Sequence, residues 1–387
     1  MNTHLKHLVL PEHDLATMVS KYPSFISILA KCCLILIAFG CASDASTYSN
    51  IQLAETSDQI LKVSDIITER TWIQLDSVSD AIIGSVSRII EYNDNYYILD
   101  SKSKRKVIVF DKNGNFLNCI GNIGSGEGEY NDVLDFTVNT STGEVIVLSN
   151  ASQVYVYDKD GHFLKRKKLT DSLIWHLVYS GGQYIGSTDN CTYLEGDHAF
   201  LLYTFDRDFN ETGKYFPVLQ KQMPSSIMFD GMLTTQSDVC YYIDMFSNTL
   251  YEIRDNHEPT ILHKFSLPDP MPLSDFAGGM NFFLQQTNHD WIKSFVPLRD
   301  SFIITYVING KLHLANISYK GELNSSGVVG GVLPKMFATA DGSIISPISR
   351  IEYEIEWLGK SEDEITSDMV DSNALLLKWR YNSDISK

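Results

Sequence analysis

Apolar residues in this chain fall in short runs separated by Gly, Asn and Asp, and no stretch holds a helical period over several turns. Residues 107–138 show the pattern best: strand, Asn113-Gly114 turn, strand, a glycine-rich loop (Gly121, Gly124, Gly126, Gly128), strand. The strands are rich in β-branched and aromatic residues, and the Asn-Gly pair predicts a two-residue hairpin. Val154–Leu164 then repeats Ile108–Leu117, with the turn glycine at 161 in place of 114. A shift of 47 residues, from Gly114 to Gly161, suits a four-stranded blade of a β-propeller.

Phasing the chain on that unit gives six repeats. The first covers 88–123, with strands Arg88–Tyr92, Tyr96–Asp100, Lys106–Asp111 and Phe116–Gly121. The second covers 135–169, with Glu144–Leu148, Gln153–Asp158 and Phe163–Lys167 in matching places. The third (176–218), fourth (230–267) and fifth (294–329) are looser, and the sixth runs from Lys335 to the end with strands expected at Tyr353–Trp357 and Ala374–Tyr381. The expected fold is all-β: a six-bladed propeller of four-stranded antiparallel blades over 61–387. Closing such a ring removes exposed sheet edges. The early run Thr71–Leu75 is therefore expected to pair with strands of the last repeat.

The N-terminus has another pattern. Lys21 and Lys31 precede the apolar run Cys32–Phe39, followed by Gly40, Cys41 and small polar residues. A basic region, a short apolar segment and a small residue before the cut describe an export signal too short to span a membrane as a helix. Residues 1–40 are accordingly expected to be a signal peptide, with Met18 the expected true start, and 41–60 a polar tether. Ala38-Phe39-Gly40-Cys41 resembles a bacterial lipobox, which implies lipidation at Cys41; ordinary cleavage near Ala42 is the alternative. A lipid anchor would hold the protein to a membrane while its body stays in water, so the expected location is the cell envelope, as an outer-membrane lipoprotein facing the periplasm or the outside.

Charge narrows the partners. The formal net charge is −17, which repels nucleic acid, so no nucleic-acid partner is expected. Cys119, Cys191 and Cys240 are widely spaced and form no C-x-x-C motif, which argues for free thiols.

The string Phe110-Asp111-Lys112-Asn113-Gly114-Asn115-Phe116, continued by Ile120–Tyr130 and Asp135-Phe136, resembles NHL-like six-bladed propellers. More narrowly, it resembles the propeller lipoproteins of Bacteroides-type gut bacteria, whose loop usually reads Gly-x-Gly-Pro-Gly-Glu-Tyr; here Glu127 replaces the proline. Leu61–Ile67 and Asp371–Leu377 are also similar to that family. The resemblance implies fold and envelope location and says little about activity.

Three constellations can carry function. The glycine loop can cradle an anion with backbone N–H groups or serve as a tight crossover between blades; it lacks the Lys-Ser/Thr of a P-loop. Arg88, Asp135, His176, Asp230, Ser294 and Lys335 hold equivalent positions at the starts of the inner strands. Around the channel such a ring can bind a polar or zwitterionic ligand, or hold calcium or zinc through Asp135, His176 and Asp230; alternatively its charges pair with one another and with water. Trp175, Tyr179, Tyr184, Phe276, Phe282, Phe283 and Trp291 can form an aromatic platform or pack between blades. No His-x-x-x-His pair or Gly-x-Ser-x-Gly elbow occurs. The expected function is a non-enzymatic binding module for an envelope protein, peptide or glycan. The alternatives are an NHL-like lyase or hydrolase with a divalent metal in the channel, and a purely structural envelope subunit.

Overall fold

The computed structural model describes residues 48–53, 59–188, 200–217, 232–244, 247–254, 257–272, 289–348 and 373–382. Six small sheets make up the body. Blade one is Arg88–Tyr92, Asn95–Asp100, Lys106–Asp111 and Phe116–Ile120, and blade two is Asp135–Val138, Val145–Ser149, Gln153–Tyr157 and Phe163–Lys168. Blades three, four and five begin on His176–Ser180, Leu233–Gln236 and Trp291–Pro297. The six first strands touch in ring order, and that of blade six, Phe337–Ala338, meets Arg88–Tyr92 of blade one. The protein is a six-bladed β-propeller.

The apolar runs have a plain cause. Successive strand residues point to opposite faces, and each blade has a neighbour on both. In Val145–Ser149, Val145 and Val147 join a buried cluster with Tyr97, Leu99 and Val109 of blade one. Ile146 and Leu148 join another with Leu177, Tyr179 and Tyr203 of blade three. Both faces are dry, so the strand cannot alternate with polar residues. One such cluster lies between every consecutive pair of blades, including blades six and one.

Closure uses both ends of the chain. Blade six takes Leu375–Tyr381 as its third strand and Ile67–Gln74 as its outermost, antiparallel with Leu376 opposite Ile73. The expected seam is present. The phasing places Ala374–Tyr381 last in its repeat; in the structure it is third, because the N-terminal segment supplies the fourth, and Ser294 falls inside its inner strand and Lys335 before its own rather than at their starts. Tyr353–Trp357 lies outside the described residues.

Upstream of the seam, the chain follows the rim. Ser49–Gln52 adds in parallel to the outer strand Thr260–Ser266 of blade four, and Ile60–Lys62 adds in parallel to Leu323–Gly330 of blade five. The stretch expected as a polar tether thus contains a sheet strand at Ser49–Gln52 and begins another at Ile60. Ile51 and Leu53 explain why: both are buried against blade four. In blade five the outer strand makes room, since a Cβ on Gly327 would lie 2.6 Å from the Gln59 carbonyl and 2.7 Å from Leu61.

The hairpin at 114 is also tighter in sequence than in space. Asp111 pairs with Asn115 across three residues, and Gly114 at φ +89° closes the loop. A three-residue turn with a left-handed last position replaces the expected two-residue one, because Asp111 caps it by accepting from the Asn113 and Asn115 N–H groups.

Candidate functional site

The inner strands of a propeller all run the same way, so their first residues gather at one mouth of the channel. Arg88, Asp135 and His176 begin the inner strands of blades one, two and three. Arg88 Nη1 donates to Asp135 Oδ2 at 2.6 Å, and His176 Nδ1 lies 3.4 Å from the same oxygen. The backbone N–H of Leu177 donates to it at 2.9 Å. Three blades are therefore joined through one carboxylate. The Asp135 side chain is 3% exposed, against 16% for Arg88 and 20% for His176.

Burial alone would raise the Asp135 carboxyl, but Arg88, then His176 and the Leu177 N–H, outweigh it and hold it below the usual carboxylate range. Asp135 is thus a permanent anion and a poor general base. Nor does it suit a metal: a guanidinium at 2.6 Å repels a divalent cation, and three donors already converge on Oδ2. Among the described residues no group of three or more His, Cys, Asp or Glu is disposed to hold a metal ion. Calcium or zinc at Asp135 does not fit this arrangement.

The remaining ring residues separate. Ser294 Oγ is 2.6 Å from Thr305 Oγ1 of the adjacent strand, where a bulge breaks the register. Lys335 Nζ stands 5.5 Å from the Phe337 ring centroid. Asp230 lies outside the described residues, as do Cys41, Phe276, Phe282 and Phe283. Of the proposed ring, the described contacts unite the first three.

Sequence reasoning missed what surrounds them. Thr137, two residues beyond Asp135 on the same face, accepts from the Tyr179 N–H at 3.0 Å, a second tie from blade two to blade three. Strand periodicity alone pointed to it. Trp175, already singled out by the sequence among the aromatics, precedes His176, and its buried indole Nε1 has no hydrogen-bond partner among the described residues. At the hairpin ends of the inner strands, Lys378 of blade six meets both Glu91 oxygens at 2.8 Å and Asp341 at 3.2 Å. The signal for this cluster was Lys378, set between Leu377 and Trp379 in an otherwise apolar run.

Tyr179 and Tyr184 are packing residues, with rings 5.1 Å apart between blades two and three. Trp291 packs against the cluster between blades four and five. Cys240 is a buried free thiol pushed up by burial, and Cys119 is a half-buried one. The glycine loop is filled by its own acid: Glu129 Oε2 accepts from the Gly126 N–H at 2.7 Å, while Asn122–Ile123 pairs in parallel with Glu129–Tyr130. It serves as a crossover, with the anion position taken internally. No described helix is long and apolar enough to cross a membrane.

Similar proteins share this architecture. A Bacteroides fragilis protein described as exported has a crystal structure matching with TM-score 0.70 at 18% identity, over 86% of this chain and 100% of that one. A Bacteroides vulgatus member of the DUF4221 family matches with TM-score 0.55 at 9% identity, over 84% of this chain and 99% of that one. At these identities the likeness is one of fold. No curated protein matches the chain. One family model does, over residues 48–326, which begins at the rim-following strands and runs through blade five, and on that match the chain belongs to the family described as a domain of unknown function, DUF4934.

Proposed function

We propose that the protein is an envelope-tethered propeller that recognises an envelope protein, peptide or glycan at one channel mouth and performs no chemistry on it. The joined Arg88–Asp135–His176 unit carries the reading. Its carboxylate is consumed by internal donors, while the Arg88 and His176 side chains stay partly exposed, at 16% and 20%. Such a set suits a carboxylate or another anionic substituent. Asp135, with its carboxyl held low, is a poor general base. Support for an envelope address comes from the signal-like N-terminus, the lipobox-like Cys41 and the exported Bacteroides fragilis relative.

Two measurements test this. Wild type and His176→Ala are compared on peptide and glycan arrays; His176→Ala leaves the Arg88–Asp135 pair in place. Selective loss of acidic ligands is the expected result, and identical profiles would remove the mouth from consideration. For the address, metabolic labelling with a fatty-acid analogue should mark wild type and spare Cys41→Ser.

A further inference from the structure

We infer that the outer edge of blade two is a second docking site, which takes an extended acidic segment of a partner protein as an added β-strand. The molecule already shows the mode on itself. The outer edges of blades four and five each accept a parallel fifth strand from the N-terminal segment. Blades one, two and three end, among the described residues, on Phe116–Ile120, Phe163–Lys168 and Glu211–Pro217, with no strand added. An uncovered edge is a template for an incoming strand.

Charge selects among the three. In a chain of net charge −17, the edge of blade two carries Lys165-Arg166-Lys167-Lys168 in succession. The edge of blade one, Phe-Leu-Asn-Cys-Ile, has no cation, and Lys214 on blade three is held by Glu211 at 3.0 Å. A single lysine suffices to blunt an edge against self-association; four in a row on both faces exceed that need.

The backbone register fits. The Leu169 N–H donates to the Ser152 carbonyl, and Lys167 and Lys165 stand opposite Val154 and Val156. By antiparallel alternation these residues direct their backbone groups inward, leaving those of Arg166 and Lys168 on the open side. Lys165 Nζ lies over the Phe209 ring, and Lys167 Nζ donates to the Asp208 carbonyl, so these two face blade three. Arg166 and Lys168 sit on the other face. Lys168 meets Asp171 at 2.6 Å, but that acid is 91% exposed and the pair readily exchanges partners. Alternate acidic residues on an added strand would meet Arg166 and Lys168 while its main chain continues the ladder.

The test uses the whole protein and a fluorescent Glu-Val-Glu-Val-Glu-Val-Glu peptide, followed by anisotropy. Saturable binding that weakens with salt is expected. Arg166→Glu with Lys168→Glu should reduce affinity at least tenfold, and Arg166→Gln with Lys168→Gln should reduce it to a lesser degree. The same peptide N-methylated at alternate residues should lose binding, because a strand cannot add without its N–H groups. Lys214→Gln, on the outer strand of blade three, should bind the peptide like wild type, which ties the binding to blade two. Absence of saturable binding, or equal affinity for the methylated peptide, overturns the proposal. So does preference of the edge for phosphatidylglycerol-containing vesicles over the peptide, abolished by the same double variants.

Discussion

The two halves of the ring are held in different ways. Blades four to six are bound from outside, where the N-terminal segment lies along two rims and then becomes the outer strand of the third. Blades one to three, among the described residues, carry no added strand and are tied from inside, where Asp135 and Thr137 fasten three inner strands through side-chain-to-backbone and ionic bonds. Strand addition resembles sheet formation: it tolerates many sequences and asks mainly for extended backbone. The inner ties need particular residues at particular positions. Rigid geometry therefore falls where a charged mouth is built, and open hydrogen-bonding edges fall on the same half.

The comparison can be broken most severely at the seam. Deleting residues 375–387 removes the strand that joins Ile67–Gln74 to blade six; the cooperative thermal transition should vanish rather than shift, and an unchanged melt would refute closure. Next, Asp135→Ala strands the Arg88 charge in a largely buried site and should cost about 3–5 kcal/mol in denaturant unfolding. Gly327→Val drives a side chain into Gln59 and Leu61. It should cost about 1–3 kcal/mol and raise proteolysis between residues 48 and 62 while leaving blades one to three protected.

The smallest effect concerns the rim at blade four. His263, on the outer strand, has Nδ1 2.9 Å from Ser49 Oγ, and its ring lies among Phe265 and Phe302. Burial lowers its affinity for a proton, opposed by the Tyr319 backbone and the Glu252 charge. The unfolded chain then binds a proton at higher pH than the folded one. Stability contributed here is complete above about pH 6.5 and declines as pH falls towards the lower folded value. Thermal melts between pH 7.5 and 5 should show that decline in wild type and a weaker one in His263→Gln.

Blade one was legible almost residue by residue, since both faces of its two middle strands are buried and its turns carry Asn, Asp and Gly. The same periodicity aligned Arg88, Asp135 and His176, which the fold then brought together. It could not show that Asp135 would be saturated by its neighbours, because a carboxylate beginning a strand looks alike whether it faces solvent or a guanidinium. The rim strands were hidden for another reason. Ser49–Gln52 is short, and its apolar signal is one buried isoleucine followed by Leu53. Strand addition leaves a faint sequence trace because most of its bonds are main-chain.

The order of manufacture gives the seam a further meaning. Ile67–Gln74 leaves the ribosome among the first parts of the body, yet its partner Leu375–Tyr381 is among the last. Until Leu375–Tyr381 is made, five blades have no complete sixth to close the circle. The ring is therefore the last thing the chain can make: its circle closes only when one of its latest strands finds one of its earliest.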